Sequence, residues 1–248
     1  MGKIHHLQIK TGEIGDFVLL PEDPNRCENI AGQFQNPRLI AKNREYTTYT
    51  GKYKGLKVSV TSTGMGSPSA AIALEEIIKS GAKYCIRLGT SQKMQNYIKP
   101  GELIIPTAAV RQDGTSLEYA PIEFPAIADN TIVHALIAIS RQKGLKSYEG
   151  IIMSNDTFYS DLSRLYLDSR KREKCWTDAN VLSKDNESSA LFTISYIRNI
   201  HLGSLLTATE NLLNHKKVVT DKDEKRYYHL MTEICLEAFS KLNNSEKY

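Results

Sequence analysis

Tyr84-Cys85-Ile86-Arg87-Leu88-Gly89-Thr90 is the stretch from which the rest of the chain is read. It predicts a short buried strand, apolar at Ile86 and Leu88, that runs into an arginine, a glycine and a threonine. In an open α/β sheet, ligands sit beyond the carboxyl ends of the strands. An arginine placed there can fork onto phosphate or carboxylate oxygens. Gly89 lets the backbone come close to a ligand, and the Thr90 hydroxyl adds a donor. An arginine after a strand can equally be a surface ion-pair partner, so the flanking segments have to decide.

Upstream, Phe17-Val18-Leu19-Leu20 is a short apolar run that predicts a buried strand. It stops at Pro21-Glu22-Asp23-Pro24, where Asp23 is a helix N-cap candidate and Pro24 suits the first helical position. Arg26 comes two residues later. A strand is predicted over 38–41, and residues 46–53 and 56–63 read as a hairpin turning at Gly55. Thr63-Gly64-Met65-Gly66 then leads into Ser67-Pro68 and an apolar helical face up to Gly81. Strand, glycine turn and helix N-terminus together make a ligand cradle, although a Gly-Met-Gly turn alone is ordinary left-handed turn chemistry.

Downstream, a long apolar strand is predicted over 103–110, a loop-rich stretch over 111–125 and a helix over 132–143. The next strand is predicted over 150–153. Residues 160–183 are polar and read as a flap or loop with a helical piece, with the charges of Arg170 to Lys174 on a solvated face. A helix over 188–200, a strand over 203–209 and an amphipathic helix over 224–242 complete the pattern. Strands alternating with helices predict an α/β fold with a mixed, mostly parallel sheet.

Composition agrees. The chain has 248 residues, 41% of them hydrophobic, which fits a single α/β domain over 1–248 with a real core. The net charge of +4 is too small and too scattered to argue for nucleic acid. Cys27, Cys85, Cys175 and Cys235 form no CxxC pair, so free thiols in a reducing compartment are expected and a disulfide framework or metal site is not. The start of the chain is polar at His5 and His6, and no apolar run is long enough to span a membrane. A soluble, cytoplasmic protein is expected.

The motifs, taken in order, resemble those of the hexameric nucleoside phosphorylases, closest to their uridine phosphorylase branch. The resemblance covers nearly the whole chain. It is carried by Pro21 to Arg26, Asn43 to Thr48, Ser62 to Ser69, Arg87 to Thr90, Ser116 to Ala128, Asp156 to Tyr159 and Asn186 to Ala190. It implies a central twisted mixed β-sheet, partly barrel-like, surrounded by helices. It also implies assembly as trimers of dimers, with sites shared between subunits. The reaction implied is phosphorolysis of a nucleoside, a uridine-like pyrimidine favoured, to free base and ribose-1-phosphate, as in pyrimidine salvage. Phosphate is the co-substrate, and no metal or organic cofactor is implied.

By the same resemblance, Arg26, Arg87 and Thr90 line a phosphate site, and Arg44 reaches the phosphate of a neighbouring subunit. His6 likewise reaches across to the ribose. Glu187 holds ribose hydroxyls as a bidentate acceptor, with Met65 near the sugar. Phe158 stacks on the base, Gln92 lies close to it, and Arg164 meets a pyrimidine carbonyl and stabilises charge as the base leaves. Arg87 and Arg164 would then act on the reacting groups.

Six positions depart from the family pattern. Glu22 stands where the family has a glycine in the phosphate loop, so a carboxylate can take the phosphate's place against the arginines. Gln92 replaces a second glycine and adds bulk. Leu162 replaces the glutamine that reads uracil, Asn186 a methionine, and Leu212 an arginine; Asp185 also replaces a glutamate. Three readings are open: an active phosphorylase of altered base specificity, a nucleoside hydrolase using Glu22 as base, or a catalytically impaired paralogue that binds nucleoside or acts as a structural subunit.

Overall fold

The computed structural model describes residues 2–159, 169–209 and 221–245. Along them, β1 (Phe17–Leu20) leads into α1 (Pro24–Ala31), followed by β2 (Gln35–Asn43), β3 (Tyr46–Tyr53) and β4 (Leu56–Thr61). Next come α2 (Ser67–Lys79), β5 (Tyr84–Lys93), β6 (Leu103–Gln112), α3 (Thr115–Tyr119), β7 (Ala126–Ile127), α4 (Asn130–Gln142) and β8 (Ser147–Asn155). The order ends with α5 (Ser169–Asp178), β9 (Ser183–Asp185), α6 (Ser188–Ile197), β10 (His201–Thr209) and α7 (Asp221–Ser245).

All these strands belong to one mixed sheet. Part of it closes on itself: β5 pairs β10, β10 pairs β6, β6 pairs β8, β8 pairs β9, and β9 pairs back to β5. That ring of five is a small barrel. The remainder, β1, β4, β3 and β2, extends from β5 as an open sheet. β5 is therefore the shared strand, parallel to β1 on one side and to β10 on the other. A strand paired on both edges and covered on both faces is buried along its length, which is why Tyr84 to Leu88 is a continuous buried run, apolar except for Arg87.

The helices cover the sheet through their apolar faces. Phe239 of α7 packs on Phe17, whose ring stacks on Tyr84, which in turn stacks on His201. α1 begins as the sequence predicts, with Pro24 in its first turn and the Asp23 carboxylate accepting from Asn25 N at 2.8 Å. The Asp129 carboxylate caps α4 in the same way.

Three segments differ from the sequence expectation. β2 runs over nine residues instead of four, because its largely exposed pattern hides it while its pairing with β3 sustains it. β6 continues through Arg111 to Gln112 instead of ending in a loop. Arg111 is buried and donates to carbonyls of Ser116, Ala120, Pro121 and Phe124, so one guanidinium organises the segment after it. β9, three residues long, lies where a loop is expected; it exists through its neighbours β5 and β8. Cys27, Cys85 and Cys235 are buried free thiols and Cys175 is an exposed one. Among the described residues, no helix is long and apolar enough to cross a membrane.

The amino-terminal segment is pinned by a single carboxylate. Glu76 of α2 accepts from the main-chain N–H groups of His6 and Leu7 and lies 2.7 Å from His6 Nδ1. Leu7 and Ile9 are wholly buried beside it. Glu76→Ala leaves those donors without their acceptor and is expected to destabilise the fold by about 2–3 kcal/mol. A chemical denaturation midpoint unchanged from wild type would refute that role.

Candidate active site

The carboxyl ends of β1, β4 and β5 fall on the same side, since Leu20 is in register with Arg87 and Leu19 with Val60. The loops leaving these strands are therefore brought together. Thr63 N, past the end of β4, donates to Pro21 O, past the end of β1, at 2.8 Å. This is the crevice in which an α/β sheet usually places its ligand.

Arg87 is its centre. The residue is 2% exposed, and its guanidinium is shared by three carboxylates. Nε donates to Asp185 Oδ2 at 3.1 Å, Nη2 donates to Glu187 Oε2, and Nη1 lies 3.5 Å from Glu22 Oε2. Burial alone would weaken the guanidinium's hold on its proton, but Glu187, Asp185 and Glu22 outweigh it and hold Arg87 above its ordinary range. A surface ion-pair partner is thereby excluded.

Asp185 and Glu187 divide two tasks. Asp185 accepts from Ser188 N and Ser188 Oγ, at the start of α6, and from Ser154 Oγ at 2.6 Å. Glu187 occupies the N-cap position itself but makes no capping bond. Its carboxylate turns into the crevice instead, one oxygen on Arg87 and the other accepting from Gly66 N at 2.7 Å. Gly66 sits at φ +87°, a conformation that favours glycine, and this turn aims its N–H at Glu187 from the start of α2. Burial pushes the Glu187 carboxyl up to about 7; Arg87 opposes the rise, while the nearby Asp185 and Glu22 charges add to it.

Glu22 lies between two guanidiniums. Its Oε1 accepts from Arg26 Nη1 and lies 3.3 Å from the Tyr228 hydroxyl, while Oε2 faces Arg87. Arg26 also donates to Tyr228 Oη and stacks over that ring at 4.1 Å. Burial would raise the Glu22 carboxyl, but Arg26 and Arg87 outweigh it and hold it below its ordinary value. Gly89 is needed here for space: a Cβ would stand 2.7 Å from Arg87 Nη1 and 2.9 Å from Glu22 Oε2.

The other predicted residues fall into three groups. Met65 is highly exposed next to Gly66 at the crevice, and Thr90 and Gln92 continue β5 beyond Gly89, paired with Thr207 and Thr209 of β10. Asn186 links its walls: its side-chain amide donates to Asn155 O, and its own carbonyl accepts from Ser67 Oγ. Phe158 lies past the end of β8 and is exposed, its ring edge-on to Tyr159. His6 and Arg44 form a second, separate group. Arg44 is exposed at the β2–β3 turn, and its neighbour Asn43 donates to His6 O at 2.8 Å, while the His6 ring is held by Glu76. Hydrogen bonds of His6 and Asn43 run from one segment to the other and to Glu76 of α2. Arg164, Leu162 and Leu212 lie outside the described residues.

Two contributors are missed by sequence reasoning. Asp185 is noticed only as a departure from a pattern, and its bonds to Ser188 at the start of α6 appear only in the fold, since Glu187 and not Asp185 holds the N-cap position. Tyr228 carries no local signal, since it comes from α7, some 200 residues from Glu22.

A buried arginine held by carboxylates at the carboxyl ends of parallel strands, in a sheet that closes partly into a barrel, defines the class. The chain belongs to the phosphorylase superfamily, whose family model matches residues 16–236. Among its relatives is a uridine phosphorylase of Treponema pallidum, 40% identical over 211 residues, covering 84% of this chain and 82% of the relative. A guanosine phosphorylase of Halorubrum lacusprofundi is 31% identical over 225 residues, covering 91% and 90%. The crystal structure of a uridine phosphorylase from Vibrio fischeri superposes with a TM-score of 0.89 at 31% identity, covering 97% of this chain and 98% of that one.

Proposed function

We propose that the protein cleaves the glycosidic bond of a nucleoside with inorganic phosphate, giving free base and ribose-1-phosphate, with a uridine-like pyrimidine nucleoside preferred. The observation that carries this reading is the pairing of Arg87 with Glu187 in one buried crevice. A guanidinium beside a carboxylate is suited to hold an oxyanion next to a polyol. Phosphate on Arg26, Arg87 and Thr90 attacks the anomeric carbon, and the electron pair of the breaking bond leaves with the base. The sugar passes through a cationic state, which the phosphate below it and the Glu187 carboxylate stabilise. Glu187 accepts the ribose hydroxyls and Met65 covers the sugar. Phe158 and Gln92 border the base, and Arg164 neutralises charge on it as it leaves. His6 and Arg44, whose segments are joined by the Asn43–His6 bond, serve the site of a second copy in a homo-oligomer, a hexamer by family likeness.

The hydrolytic reading is weaker on one count. A general base for water works best when its basicity is raised, whereas the two guanidiniums lower that of Glu22.

The test is release of base from a panel of pyrimidine and purine nucleosides, with and without phosphate. Phosphate-dependent release, fastest with uridine, is the expected result. Release that ignores phosphate would replace the reading with hydrolysis. No release from any nucleoside, by a folded oligomer, would replace it with a non-catalytic binding or structural role.

A further inference from the structure

We infer that Glu22 is a built-in competitor for the phosphate slot: its carboxylate occupies the place of the phosphate oxygens between Arg26 and Arg87 and has to swing out before phosphate binds. This rests on the proposed phosphorolysis and identifies the residue that sets phosphate affinity within it.

The geometry supports the inference in three ways. Each oxygen of Glu22 is directed at a different guanidinium, Oε1 at Arg26 and Oε2 at Arg87, as two oxygens of a bound oxyanion would be. Tyr228 completes the set of donors at 3.3 Å. The charge of the cluster is already spent, because Arg26 and Arg87 face three carboxylates, Glu22, Asp185 and Glu187. A phosphate dianion entering beside that set meets repulsion unless one carboxylate withdraws. Of the three, Glu22 is the one held by side chains, those of Arg26, Arg87 and Tyr228. Asp185 is tied to the main chain at the start of α6 and Glu187 to Gly66 N, whereas Glu22 stands in the turn between β1 and α1 with its side chain 14% exposed. Its rotation exposes a slot already shaped for an oxyanion. Gly89 leaves room at the floor of that slot, since a Cβ there would stand 2.7 Å from Arg87 Nη1 and 2.9 Å from Glu22 Oε2 and one of them would have to shift.

The experiment titrates inorganic phosphate into wild type, Glu22→Gln and Glu22→Gly by calorimetry, and measures phosphate-dependent nucleoside cleavage for all three. Glutamine keeps the size and removes the charge; glycine removes both, so one variant covers for the other if folding suffers. Phosphate is expected to bind about tenfold tighter or better in both variants, with the phosphate KM falling in parallel. Phosphate affinity within about twofold of wild type in both variants overturns the inference, and leaves the phosphorolysis reading standing if wild type turns over with phosphate. Tighter phosphate binding without turnover by any of the three supports the competitor and overturns the phosphorolysis reading. Loss of phosphate binding on removing Glu22 overturns the inference directly.

Discussion

Arg87→Ala is expected to lower kcat/KM by about 10²–10³-fold, the usual loss when one preorganised donor facing developing charge is removed. The loss has two sources. The phosphate slot keeps only Arg26 of this chain's two clustered guanidiniums, and Glu187 loses the partner that orients it. The same change leaves Asp185 and Glu187 as buried carboxylates without their counter-ion, so a stability loss of about 3–5 kcal/mol is expected as well. Arg87→Lys separates the two effects. It keeps a positive charge but cannot reach Glu22, Asp185 and Glu187 at once, so it should recover much of the stability and little of the turnover. Denaturation curves and phosphate saturation curves on both variants give the answer. An Arg87→Ala protein with an unchanged phosphate KM would remove Arg87 from the phosphate site.

Glu187→Gln is the second large effect. A neutral amide accepts ribose hydroxyls with one oxygen only and without charge assistance. Hydrogen bonds to a charged group are worth about 1.5–3 kcal/mol each, so kcat/KM should fall about 100-fold or more. The pH dependence distinguishes this from a packing defect. The Glu187 carboxyl titrates at about 7 in the folded protein, against an ordinary value of 4.5. Between those values the folded protein keeps a proton that the unfolded chain has released. This group's contribution to stability therefore falls as pH rises through that window. Its contribution to catalysis runs the other way, since only the ionised carboxylate accepts from two hydroxyls. kcat/KM should climb toward and through about pH 7, and the climb should be missing in Glu187→Gln. The same rising limb in the variant would assign it to another group.

Much of the architecture is legible from local chemistry. The largely apolar run at Tyr84 to Leu88, interrupted by Arg87, announces a buried strand, and Asp23-Pro24 announces the start of α1. The glycines of 64–66 announce a tight turn into α2. Each of these depends on residues within one turn or one strand of each other, where periodicity and capping chemistry act. Arg87 stands out for the same reason, at the end of such a strand, whereas Arg26 and Glu187 are picked out only by the family resemblance. The position of Glu22 as a departure in the loop is equally visible.

Other features have no local cause. β9 is three residues that become a strand only because β5 and β8 present unpaired edges to them. Closing the barrel through β10 and β5 depends on pairings more than a hundred residues apart. Tyr228 reaches Arg26 and Glu22 because α7 packs back across the sheet. Arg111 looks like the start of a loop and proves to be the buried guanidinium that holds that loop together.

Which elements form, and which charged residues stand at their ends, can thus be read from the chain alone, because propensity, pattern and capping are local. Which charges meet is a property of the folded molecule. Folding assigns Asp185 to the start of α6, leaves Glu187 to the crevice and lodges Glu22 between two arginines. Burial is the physical reason: a guanidinium taken out of water has to find carboxylates, and the path of the chain in three dimensions fixes which ones lie within reach.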